Sequence, residues 1–167
     1  IAGGNSTFLL NIPPTREGLL HKEDVKRLAE LGAFLKKAFA DDLIPTAELS
    51  CDSELEGHSI ENVRTDSYED YYMPGSPNAE ILIKLPQRQR LGYLIIKENI
   101  LLSQRIESFS VDIKQGDAFN EVFSGTTVGY KRIVPLEGAK TDLLRIRVTD
   151  STISPAISFI GLYSKGE

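Results

Sequence analysis

Residues 8–14 read Phe8-Leu9-Leu10-Asn11-Ile12-Pro13-Pro14. A continuous apolar run of this kind suits a strand buried on both faces, as in a parallel sheet. Pro13-Pro14 ends it, because proline removes a backbone donor and restricts the residue before it. A parallel strand needs parallel neighbours, and the rest of the sequence offers no second strand–helix unit. The opening is therefore expected to be the tail of a larger architecture. A chain that begins with Ile1, without an initiator Met, agrees with that expectation.

Working outward, an amphipathic helix is predicted over about Glu23 to Phe39. Val25, Leu28, Gly32, Leu35 and Phe39 recur at steps of three and four, and Leu31, Phe34 and Ala38 widen the stripe. Lys26, Arg27, Glu30, Lys36 and Lys37 fill the other side. Asp24 in the first turn and Lys36 and Lys37 in the last suit the helix dipole. Asp41-Asp42 and Pro45 mark a boundary, which gives two regions, residues 1–45 and 46–167.

From Thr46 onward the pattern changes. Residues 50–80 are polar and rich in turn formers. Short runs with strand periodicity follow: Glu80 to Leu85, Tyr93 to Lys97, Ile106 to Lys114, Phe119 to Ser124, Leu144 to Thr149 and Ala156 to Tyr163. Within the third, Phe109, Val111 and Ile113 alternate with Ser108, Ser110 and Asp112. Gln115-Gly116-Asp117 supplies a turn. Short strands at this spacing predict a mainly β fold, an antiparallel β-sandwich preceded by one β–α unit.

The chain has 167 residues, 41% hydrophobic and 26% charged, ordinary for a globular protein. Its net charge of −5 gives no bulk attraction to polyanions, so nucleic acid is not expected as a partner. No stretch is long and apolar enough to span a membrane, and none has a signal-peptide pattern. The single cysteine, Cys51, excludes an internal disulfide and a multi-cysteine zinc site. Nothing beside it lowers a thiol pKa. No zinc, phosphate-loop or nucleophile–His–Asp spacing is present.

Two segments resemble one family. Asn5-Ser6-Thr7 and the run Phe8 to Pro14, then Arg16, Gly18 and Leu19, look like the last barrel strand of the α-L-fucosidases of glycoside hydrolase family 29. Leu28, Leu31-Gly32 and Leu35 are similar to that family's last barrel helix. Gly125 to Ile133, with Ile96 to Ile100 and Gln104 to Phe109 upstream, resembles its C-terminal β-sandwich. The resemblance implies that residues 1–45 are the last unit of a (β/α)8-type catalytic barrel. It implies that residues 46–167 are a discoidin-like or galactose-binding-like sandwich. The implied activity is removal of terminal α-L-fucose from glycans with retention of configuration. That chemistry needs two carboxylates about 5–5.5 Å apart. In the family both lie upstream of the last strand, so no catalytic residue is assigned here and this chain alone is expected to be inactive. The implied partners are the family's N-terminal catalytic barrel and, through it, a fucosylated glycan. The resemblance favours a secreted or periplasmic setting.

Site residues follow from the same placement. Asn11 falls near the carboxyl end of the last strand, where such barrels carry their active sites. It would border the sugar pocket or hold a neighbouring loop. Arg16 and His21 follow in the next loop, where solvation is the simpler reading. Tyr68, Tyr71 and Tyr72, with Glu69 and Asp70, form the one aromatic–acidic cluster. Tyrosines stack on sugar faces, which would make a subsite, and the isolated sandwich would then be a carbohydrate-binding module for galactose- or fucose-type glycans. The competing reading is that these rings plug the open edge of the sandwich. A structural calcium ion would draw on Asp66, Glu69 and Asp70; no other cofactor is expected. Asn5-Ser6-Thr7 matches a glycosylation acceptor, and its place before a buried strand argues for coincidence. A bracing role for the sandwich predicts apolar contact with the helix of residues 20–45.

Overall fold

The computed structural model describes residues 3–166. One helix, α1 (Lys22–Ala38), precedes seven strands: β1 (Glu48–Cys51), β2 (Ala79–Glu98), β3 (Ile106–Gln115), β4 (Ala118–Gly125), β5 (Arg132–Pro135), β6 (Lys140–Ser151) and β7 (Ile157–Ser164). All strand pairings are antiparallel. One ladder runs β1-β2-β6-β3-β4, and β2 also pairs with β5 and β7.

β2 joins the two ladders. Its first half, from Ala79, pairs with β1 and β6, and its second half, Leu91 to Glu98, lies between β5 and β7. The sequence reads as two runs here, Glu80 to Leu85 and Tyr93 to Lys97, because Pro86 interrupts it. The pairing with β6 shifts register between Lys84 and Gln89. Pro86 sits inside that irregularity, where no ladder donor is asked of it. The strand passes from one layer to the other at this point.

The core lies between the layers. Ile81, Ile83, Phe109, Val111, Ile113, Leu144, Ile146 and Val148 face inward from the larger ladder. Leu94, Ile96, Val134, Ile160 and Leu162 meet them from the smaller one in a single buried cluster. The period-two alternation predicted for β3 and β6 produces this, each buried Leu or Ile contributing about 1.5–3 kcal/mol. The β3–β4 hairpin turns on two residues, and Gly116 takes φ +63° at the first, a value glycine adopts without strain. β1 and β5, four residues each, are too short to show a period and were not anticipated.

The opening unit forms in part. α1 begins and ends within a residue of expectation, capped by His21, whose Nδ1 accepts from Glu23 N at 3.3 Å. The strand expected at Phe8 to Pro14 joins no ladder; Pro14 makes one isolated bridge, with Leu20. The reason is physical: a strand with an apolar run on both faces needs neighbours on both edges, and the described residues supply none.

Candidate functional site

The apolar residues of the opening unit remain on the surface. Leu9 is 89% exposed, Phe34 56% and Phe8 52%. Val25, Leu31 and Leu35 are exposed as well, and α1 buries none of its residues. Between residues 10–13 and α1 runs a groove of about 240 Å³, with Asn11, Ile12, Leu28 and Leu31 on its walls. A solvent-facing stripe this wide marks a docking surface more often than a monomer's ordinary exterior.

The helix meets the sandwich at its C-terminal end and not along its stripe. The Phe39 ring packs 5.3 Å from that of Tyr93 and 5.1 Å, edge on, from that of Tyr163. Leu43 N donates to Leu162 O at 2.7 Å. The Asp42 carboxylate accepts from Ile44 N and from Leu162 N, at 3.0 and 3.2 Å. Leu43 and Ile44 are buried. The close apolar contact expected of a bracing sandwich is thus centred on Phe39 to Ile44; Phe34 and Ala38 border a cleft against Tyr93 and Ser164, and Val25, Leu31 and Leu35 of the stripe remain exposed.

The three tyrosines have separate fates. Tyr72 is fully buried, and its hydroxyl donates to Ser53 O at 2.8 Å. Burial, then the nearby Cys51 and Asp52, pushes its pKa up. It is a core side chain, which is the edge-plugging alternative. Tyr71 stacks on His58 with ring centres 4.3 Å apart. Tyr68 is at the surface, and its carbonyl accepts from Asn99 Nδ2 at 2.8 Å. Tyr72 therefore shares no solvent-facing surface with the other two rings. Asp66 takes Lys97 Nζ on both carboxylate oxygens, at 2.9 and 2.7 Å. Among the described residues no three His, Cys, Asp or Glu side chains converge as metal ligands. Cys51 has its pKa raised by burial, which keeps its thiol protonated. Asn11 and Arg16 are exposed.

Two buried carboxylates escaped the sequence reading. Glu98 is inaccessible to solvent. Its Oε1 accepts from Arg105 N at 2.8 Å and Ile106 N at 3.0 Å, and its Oε2 from Gly129 N at 2.6 Å. One side chain thus ties the segment after β2 to the segment after β4. A signal existed: Glu98 continues the inward series Leu94, Ile96, and a charge on an inward face must have built partners.

Asp112 is 1% exposed on the other face of β3. It accepts from Arg145 Nε at 2.8 Å and from Arg147 Nε and Nη2 at 2.7 and 3.0 Å. Burial pushes its carboxyl upward, but the hydrogen bonds from Arg147 and Arg145 outweigh this and hold its pKa below the usual value of 3.8. A lowered folded-state pKa gives stability that is present above the unfolded value and lost as pH falls through the folded one. Asp112→Asn is expected to cost about 2 kcal/mol at neutral pH. In urea unfolding the gap from the parent should narrow below about pH 4 as the parent's carboxyl protonates; a gap constant down to pH 2 would show that the charge is not what matters.

In architecture the described residues form an antiparallel β-sandwich preceded by one α-helix with an exposed apolar surface. The chain is similar to the α-L-fucosidases of glycoside hydrolase family 29 along nearly its whole length. Alpha-L-fucosidase 1 of Arabidopsis thaliana is 31% identical over 170 residues, a match covering 96% of this chain and 34% of that protein. A Ruminococcus gnavus family 29 fucosidase, solved in complex with fucose, superposes with a TM-score of 0.88 at 28% identity over 99% of this chain and 35% of that one. A Bacteroides thetaiotaomicron structure, solved as a candidate α-L-fucosidase, gives a TM-score of 0.90 at 28% identity over 98% of this chain and 37% of that one. The chain therefore spans about a third of the length of these relatives. No protein-family model matches it.

Proposed function

We propose that this chain is the C-terminal portion of a retaining α-L-fucosidase. Residues 1–45 are the last strand–helix unit of a (β/α)8-type catalytic barrel, and residues 46–167 are a sandwich that braces it. The observation that supports this best is the apolar surface of Phe8 to Leu35. Its extended run and its helix both turn large side chains to solvent, as an outer unit of a barrel would before its neighbours close on it. The substrate class is a glycan ending in α-L-fucose, and the carboxylate pair comes from the barrel. Asn11, at the carboxyl end of the run, borders the sugar pocket or holds an adjoining loop. The sandwich acts by bracing rather than by gripping sugar, since Tyr72 is in the core and Tyr71 lies against His58.

The test is hydrolysis of a chromogenic α-L-fucoside. The 167-residue chain is expected to show no turnover, and the same chain with a family 29 barrel restored before it is expected to turn over with retained configuration. Turnover by the chain alone that maps to one of its own carboxylates would overturn the assignment.

A further inference from the structure

We infer that Asn5 is a positioning residue through which the sandwich sets the place of the Phe8 to Pro14 run, an inference that rests on the barrel reading above. Residues 3–5 lie along the edge of β5. Ile133 N donates to Gly3 O at 2.8 Å, Asn5 N donates to Lys131 O at 3.0 Å, and Gly4 bridges Arg132. The strap thus adds one isolated bridge, flanked by two backbone hydrogen bonds, to the edge of the smaller ladder, immediately before the run that would enter the barrel.

Asn5 locks it. The residue has φ +55°, a left-handed conformation that asparagine tolerates better than most side chains. Its Oδ1 accepts from Tyr130 N at 2.8 Å, and its Nδ2 donates to Gln104 Oε1 at 2.9 Å. These partners stand next to the amides that Glu98 holds, Gly129 and Arg105. Asn5 therefore reads both segments that the buried carboxylate ties together. The backbone is shaped to admit it. Gly129 has φ +58°, and a Cβ there would lie 2.3 Å from the Asn5 amide. Gly3 has φ +81°, and a Cβ there would lie 2.3 Å from the Ile133 side chain. The amide nitrogen engaged with Gln104 is also the atom a glycan would need, which agrees with reading Asn5-Ser6-Thr7 as coincidence.

Asn11 lies six residue steps beyond Asn5, at most about 20 Å at the rise of a strand. An anchor at one end fixes the run along its own axis, and displacements near an ångström at a barrel's carboxyl face are enough to slow chemistry severely. Asn5 acts on the barrel only through the run.

Two readouts test the inference. In the 167-residue chain, Asn5→Gly keeps the left-handed backbone and removes the side chain. Hydrogen exchange at Ile133 N–H, whose acceptor is Gly3 O, is expected to quicken at least about tenfold. Asn5→Asp should retain protection, because its carboxylate still accepts from Tyr130 and the Gln104 amide can turn its NH2 toward it. In the barrel-restored enzyme, Asn5→Gly is expected to lower kcat about tenfold with KM within about twofold, with rescue by Asn5→Asp. Unchanged exchange at Ile133, or unchanged kcat in an active enzyme, would overturn the inference. If the restored protein turns over no fucoside at all, the fucosidase reading falls, and the exchange result alone still decides whether Asn5 holds the strap.

Discussion

Glu98→Ala is expected to destabilise the chain by about 4 kcal/mol, read as a lowered urea midpoint. The substitution strands the N–H groups of Arg105, Ile106 and Gly129, each now bonded to the carboxylate at 3.0 Å or less. A buried donor left without an acceptor costs about 1–3 kcal/mol. Three of them outweigh the side-chain entropy regained and the charge relieved, so the net sign is a loss. A cavity-forming change in the core, such as Ile146→Ala, would cost a similar amount by a different route, lost burial and a void. The two are separable. Glu98→Ala should also remove exchange protection at those three amides ahead of global unfolding, whereas Ile146→Ala should lower protection through the whole sandwich. Glu98→Gln gives a graded test, because its amide can accept from Arg105 and Ile106 but turns an N–H toward that of Gly129. A loss of about 2 kcal/mol is expected for it. If Glu98→Ala unfolds no more readily than the parent, the carboxylate is not holding the two segments.

Much of this fold is legible in the sequence, for reasons that differ by element. α1 is legible because charge placement and a 3.6-residue period agree, whereas its cap, His21, shows only in the structure. β3, β6 and β7 are legible because one face of each lies on the core. β2 divides in the sequence because Pro86 falls where the strand changes layers, and only its pairing with both ladders shows one strand. β1 and β5 are set by their partners on β2 rather than by their own four residues. The opening run illustrates a converse limit. Its apolar composition is read correctly, but a strand is a property of a pair, and beyond the single Pro14–Leu20 bridge the described residues hold no partner for it. Tyr72 differs again: three clustered tyrosines look alike in sequence, and only tertiary placement puts one in the core, one on His58 and one at the surface. The sequence shows Asn5 through the family resemblance and the acceptor pattern but not its positioning role, since both partners of its side chain are about a hundred residues or more away.

A substitution in the exposed run and stripe should range from neutral to severe according to context. In the 167-residue chain, Leu9→Glu with Phe34→Glu is expected to leave the urea midpoint of the sandwich unchanged, because α1 buries no residue and residues 6–13 join no ladder. The same pair should suppress self-association, read as a concentration-dependent sedimentation coefficient in the parent and a constant one in the variant. Water is a poor solvent for Leu9 and Phe34 at their present exposure, and a second copy is the apolar surface within reach. With a barrel restored upstream, those positions are expected to be covered, and burial of a large apolar side chain contributes about 1.5–3 kcal/mol. Two carboxylates placed there should then cost about 4 kcal/mol or more, enough to unfold the restored barrel or detach its last unit. A variant harmless in one context and severe in the other indicates a surface built to be covered. If the pair is neutral in both, Phe8 to Leu35 is ordinary exterior and the barrel assignment loses its main support; if it is severe in the short chain, the unit already packs on the sandwich through its stripe rather than through Phe39 to Ile44.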